Sequence, residues 1–105
     1  MSSPLKGIKI LDLTHMLAGP YGTMVLADLG AEIIKIEPPL KGEITRNLLK
    51  NDPDYSVDGV GAYHLTLGRN KKSLTLDLKS EPGKNIFYQL VKKVDVVIDN
   101  FSSGV

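Results

Sequence analysis

The groups that could do chemistry in this 105-residue chain are few: two histidines, no cysteine, and carboxylates and cations in nearly equal number. No nucleophile is assembled from them. There is no G-x-S-x-G elbow and no H-E-x-x-H, and His15 and His64 have no spacing that suggests a metal. What the sequence does offer is a set of polar and aromatic residues just after aliphatic runs. His15, Met16, Leu17, Ala18 and Gly19 follow the first run, Glu37 the second, Leu76 and Lys79 close the third, and Asn100 and Phe101 follow the last. An imidazole, a cation, a carboxamide and a helix N-terminus gathered on one rim suit a phosphate-bearing ligand, with Phe101 as a stacking face.

Each residue also has a plainer reading. His15 reads equally as a loop histidine bonded to backbone. Lys79 reads as a solvated strand-end charge and Arg69 to Lys72 as a solvated turn. Asn100 suits an Asx-turn. Asp12, inside an aliphatic run, must be paired or lie at the strand's wet end, and Asp77 can cap locally. Gly19-Pro20-Tyr21-Gly22 lacks the G-x-G-x-x-G dinucleotide spacing, and no G-x-x-x-x-G-K is present.

The elements that must position these residues are organised by the stretch from Gly7 to Glu37. Ile8, Ile10, Leu11 and Leu13 suit a strand covered on both faces. A helix is expected to open at Pro20, with Tyr21, Val25, Leu26 and Leu29 as its apolar stripe, Asp28 opposite, and Gly30 as its stop. Ile33, Ile34 and Ile36 give the second strand, ended by Pro38-Pro39. The segment from Pro38 to Gly61 is polar and turn-rich, with one short helix near Ile44 to Leu49, and Ala62 to Leu67 is a weak helical turn. Ser73 to Leu78 alternates as a strand with Leu74, Leu76 and Leu78 on one side. Ser80 caps a third helix whose stripe is Ile86, Phe87, Leu90 and Val91. Val94 to Ile98 is the last strand. The expected class is α/β, a parallel sheet ordered 3-2-1-4 with flanking helices, whose ligand crevice lies where the strand order reverses.

Composition narrows the class further. The chain suffices for one domain, and 42% hydrophobic content suits a globular core. A net charge of +1 gives no field that draws the chain to nucleic acid or membrane. The absence of cysteine fits a reducing cytoplasm, and MSSPLKG lacks the apolar core of a secretory signal. The last strand is left without a following helix, so the chain reads as a fragment of something longer or as dependent on a partner.

Six segments together resemble one family. Gly7-Ile-Lys-Ile-Leu-Asp-Leu-Thr-His15, Leu17-Ala-Gly-Pro20, Leu26-Ala-Asp-Leu-Gly-Ala-Glu-Ile-Ile-Lys-Ile-Glu-Pro38, Arg69-Asn-Lys-Lys-Ser73, Leu76-Asp-Leu-Lys79 and Asp95-Val-Val-Ile-Asp-Asn-Phe101 are similar, in this order, to the N-terminal segment of the class III coenzyme A-transferases. That family includes formyl-CoA transferase, carnitine CoA-transferase and α-methylacyl-CoA racemase. The resemblance implies that residues 1–105 are the first part of a Rossmann-like large domain, that coenzyme A enters as the acyl-CoA substrate without a metal, and that the full-length enzyme is an interlocked homodimer. It implies a downstream aspartate that attacks the acyl-CoA thioester to give a mixed anhydride, then a glutamyl or aspartyl CoA thioester, before CoA passes to an acceptor acid. The racemases' acid and base groups also lie downstream, so catalytic residues are expected beyond Val105. What the resemblance carries onto this chain is a CoA cradle of His15, Met16, Leu17, Ala18, Leu76, Lys79, Asn100 and Phe101. Two positions depart from it: Pro38 stands where some transferases have an arginine near the adenine, and Ser102-Ser103 replaces the Arg-Pro that often follows Asn-Phe. The alternatives are a racemase of the same fold and a truncated, non-catalytic chain that binds CoA or nucleotide.

Overall fold

The computed structural model describes residues 3–105. In chain order the elements are β1 (Lys9–Asp12), α1 (Ala18–Asp28), β2 (Glu32–Glu37), a 3-10 turn (Ile44–Arg46), β3 (Ser56–Val57), β4 (Val60–Gly61), α2 (Ala62–Leu67), β5 (Lys71–Thr75), α3 (Glu81–Val91) and β6 (Val96–Ile98). The main sheet has the order β5-β2-β1-β6 and every pairing in it is parallel. Counting only these four strands, that is the expected order 3-2-1-4. Helices flank the sheet, as an α/β architecture requires.

Side chains of a strand alternate between faces, and here the alternation separates two kinds of interior. Ile10 and Ile33 meet Ala27 and Ala31 on the α1 side. Leu11, Leu13, Ile36 and Leu76 form the opposite cluster, covered by Phe87 and Leu90 of α3. Two glycines set the ends of helices. Gly30 follows α1 at φ 106, where a side chain would be strained. Gly83 lies at the start of α3, where an added Cβ would stand 1.8 Å from the Asp77 carbonyl oxygen.

Five sequence expectations need correction. Helix α1 starts at Ala18, before Pro20, because the Tyr21 amide already donates to the Leu17 carbonyl at 2.8 Å. Its buried side is Pro20, Thr23, Met24 and Ala27, whereas Tyr21, Val25 and Leu29 stay exposed. The helix is turned so that the Thr23 hydroxyl can donate to Asp12 at 2.6 Å, and satisfying that carboxylate takes precedence over the apolar stripe. The third strand of the sheet occupies Lys71–Thr75, not Ser73 to Leu78, since Lys71 and Lys72 take ladder positions beside Ile33 and Ile34. Thus Lys71 does not belong to a solvated turn: its side chain is 4% exposed. Arg69 and Asn70 do lie at the surface, where both bind Asp28, at 2.6 and 2.9 Å. The last strand is Val96–Ile98, shorter than expected.

The β3-β4 hairpin is an addition to the expected elements. Asp58 and Gly59 turn it with φ of 50 and 79, the two positive values that a two-residue primed turn needs. Among the described residues no helix is long and apolar enough to cross a membrane.

Candidate functional site

The carboxyl ends of the parallel strands carry two different environments, one on each face of the sheet. Strand alternation puts Asp12, Lys35, Glu37, Lys71 and Ser73 on the α1 side, because Asp12 is in register with Lys35, Ile33 with Lys71, and Lys35 with Ser73. The result is a buried polar network. The opposite face continues outward as an apolar groove.

In the network, Asp12 is fully buried and accepts from the Thr14 amide at 2.8 Å and from the hydroxyls of Thr14 and Thr23 at 2.5 and 2.6 Å. Lys71 Nζ stands 3.3 Å from it and Lys35 Nζ 3.8 Å. Lys35 also donates to the Thr14 carbonyl and Lys71 to the Pro20 carbonyl. Burial pushes the Asp12 carboxyl up, but Lys35 and the two threonines outweigh it and hold the group below the usual carboxylate range. Burial pushes the Lys71 ammonium down, against the attraction of Asp12.

Glu37 extends the network. It accepts from Arg46 Nε and Nη2 at 2.6 and 2.8 Å, from Ser73 Oγ at 2.6 Å and from the Glu43 amide at 2.7 Å. Burial opposes ionisation, yet these donors, Arg46 foremost, bring its pKa to about 2. Glu43 comes next, 1% exposed. It accepts from the Met16 amide at 2.8 Å, the Thr45 amide at 2.9 Å and the Thr45 hydroxyl. Burial is again outweighed, here by His64, Thr45 and the two amides, and the pKa falls to about 2. A polar cavity of about 40 Å³ between Lys35, Glu37, Glu43, His64 and Lys71 is large enough for a water molecule. Asp12, Glu37 and Glu43 are buried and each already accepts several hydrogen bonds from neighbouring backbone and side-chain donors. They fix the shape of the site.

The groove is open and has a volume of about 730 Å³, within the range of small-molecule sites. Leu13, Ile36, Leu76 and Leu78 make its floor, and His15, Lys79 and Phe101 stand around it. The rings of His15 and Phe101 lie 6.0 Å apart at 42°. Asn100 locks the first loop to the last: its Oδ1 accepts from the His15 amide at 3.0 Å and its Nδ2 donates to the His15 carbonyl at 2.9 Å. Four of the eight cradle residues named from the sequence, His15, Leu76, Lys79 and Phe101, therefore line one groove. Asn100 holds His15 by its backbone. Met16, Leu17 and Ala18 lead into α1 and face solvent outside the groove.

Sequence reasoning missed Glu43, Arg46 and Lys71. The available signal was Glu43 and Arg46 at the start of the short turn after Gly42, but their partners come from β2 and from the loop after β1. Among the described residues no group of three or more His, Cys, Asp or Glu could hold a metal ion.

The sequence matches the model of CoA-transferase family III over residues 5–105, and the chain belongs to that family. Among curated relatives, the formyl-CoA:oxalate CoA-transferase of Bradyrhizobium sp. (strain ORS 278) is 45% identical over 105 residues, and that of Escherichia coli O6:H1 is 41% identical over 104. The match covers 100% and 99% of this chain but 24% of each relative, so the chain spans about a quarter of their length. Among solved structures, a CaiB/BaiF family protein from Brucella suis superposes with a TM-score of 0.87 at 39% identity, over 99% of this chain and 27% of that one.

Proposed function

We propose that this chain forms the acyl-CoA-binding portion of a CoA-transferase that passes CoA from an acyl-CoA to a free carboxylic acid. The observation that carries the reading is the groove at the strand ends, with an apolar floor for the pantetheine arm, Phe101 as a flat face and Lys79 as a cation for a phosphate. Family membership supports the same chemistry. Met16, Leu17, Ala18 and Asn100 complete the cradle in this reading, the first three from the entry to α1 and the last by fixing His15.

The nucleophile is an aspartate outside these 105 residues. Its carboxylate attacks the thioester carbonyl, the C–S bond breaks, and CoA leaves as the thiolate while a mixed anhydride forms. Attack of the thiolate on the enzyme-derived carbonyl of the anhydride frees the first acid and leaves CoA on the enzyme carboxylate, and the acceptor acid then repeats the exchange. The complete enzyme works as an interlocked homodimer in the cytoplasm.

Formyl-CoA and oxalate, the pair named for the relatives, are the first substrates to assay in the full-length protein that carries this chain. CoA exchange is expected. Lys79→Ala should raise the acyl-CoA KM about tenfold, a loss of about 1.4 kcal/mol in binding, with kcat little changed. A full-length protein that exchanges CoA between no acyl-CoA and acid contradicts the proposal; solvent exchange of the α-proton of an α-methylacyl-CoA, tested separately because formyl-CoA has none, without CoA transfer would replace it with a racemase.

A further inference from the structure

We infer that Glu43 is a positioning residue for the acyl-CoA groove, acting through His15 by fixing which ring nitrogen carries the proton. The inference rests on the reading of the groove as the acyl-CoA site. Glu43 does not line the groove; it lies behind the loop that does. Its Oε1 accepts from the Met16 amide at 2.8 Å and stands 3.7 Å from His15 Nδ1. Met16 is a non-glycine residue at φ 69, a left-handed conformation that needs support from outside the loop. Asn100 supplies that support from one side, through both backbone groups of His15, and Glu43 from the other.

The imidazole itself shows the asymmetry. His15 Nδ1 is buried without a hydrogen-bond partner, although the side chain as a whole is 27% exposed. The exposed part of the ring is therefore the part away from Glu43, and His15 is one of the residues that border the groove. An ionised carboxylate facing Nδ1 favours a proton there, as second-sphere carboxylates do for histidines. In the neutral ring Nε2 is then left with its lone pair free. His15 accordingly accepts a hydrogen bond from an N–H or O–H donor of the bound acyl-CoA. Glu43 is held in place for this by Thr45, whose amide donates to its Oε2 at 2.9 Å and whose hydroxyl lies 3.2 Å from His64 Nδ1.

The test uses the full-length protein with 15N-labelled histidine. Ring nitrogen shifts at neutral pH, assigned by loss of the signal in His15→Asn, should show the Nδ1–H tautomer of His15 in the wild type. In Glu43→Gln the preference should weaken and the acyl-CoA KM should rise about tenfold, with kcat within about twofold; Glu43→Asp should recover part of both. In the His15→Asn background Glu43→Gln should add no further rise in KM. An Nε2–H tautomer in the wild type overturns the inference without any variant, so it is decided even if Glu43→Gln fails to fold. Equal KM penalties in both backgrounds also overturn it. A wild type that shows Nδ1–H shifting with Glu43→Gln but has no affinity for CoA removes the acyl-CoA reading of the groove and leaves the Glu43–His15 coupling standing.

Discussion

Glu37 and Glu43 are the residues whose charge state the structure constrains most. Both fall from an ordinary 4.5 to about 2, so each favours the folded state while ionised. A depressed carboxylate contributes fully above its unfolded pKa, and the contribution disappears as pH drops through the folded value. Each shift is worth on the order of 3 kcal/mol at neutral pH. Circular dichroism of the full-length protein should therefore show stability steady above about pH 4.5 and lost between there and about pH 2; melting temperatures unchanged down to pH 2 would contradict this. Asp12 supplies a second residue-level prediction. Asp12→Asn keeps the shape but leaves Lys35 and Lys71 buried without their common anion, which should cost on the order of 3 kcal/mol in urea unfolding.

At the scale of elements, the start of α3 can be tested by itself. Ser80 Oγ accepts from the Gly83 amide at 3.0 Å, and Ser80→Ala should cost about 1 kcal/mol. Gly83→Ala should cost more, about 1–3 kcal/mol, because its Cβ meets backbone that cannot swing aside. Thermal unfolding of the two variants gives the order; an alanine at 83 that is harmless would show that α3 can shift outward. Elements of this kind were legible in the sequence because their signals are local: Ser80 before Pro82, Gly30 after the first helix, aliphatic runs bounded by turns. The strand order and the groove were reachable too, since the loops after parallel strands must share an edge. The buried network was not. Asp12, Lys35, Lys71 and Glu37 are brought together by sheet register, and no local pattern records that Lys71 stands beside Ile33. The same register argument explains the misplaced stripe of α1, whose rotation answers to Asp12 rather than to the helix's own periodicity. The Asp58-Gly59 turn was a local signal, and it was passed over within a segment read as polar and irregular.

For the molecule as a whole, the radius of gyration of 14.3 Å exceeds the roughly 13 Å typical of a compact domain of this length. Leu17, Tyr21, Val25 and Leu29 follow one another at four-residue spacing from the N-cap to the C-cap of α1 and are all exposed, and β6 is an edge strand whose Val96 and Val97 are exposed as well. None of these residues lines the groove. It is assembled from the ends of β1, β2 and β5 and the loop after β6, with the ion-paired network behind β1 and β2 keeping the first loop in place. Its fit to acyl-CoA is the claim on which the functional account depends. Isothermal titration of the full-length protein with CoA tests it most directly: saturable binding is predicted, weakened about tenfold by Lys79→Ala. No binding, or equal affinity in the variant, would contradict it.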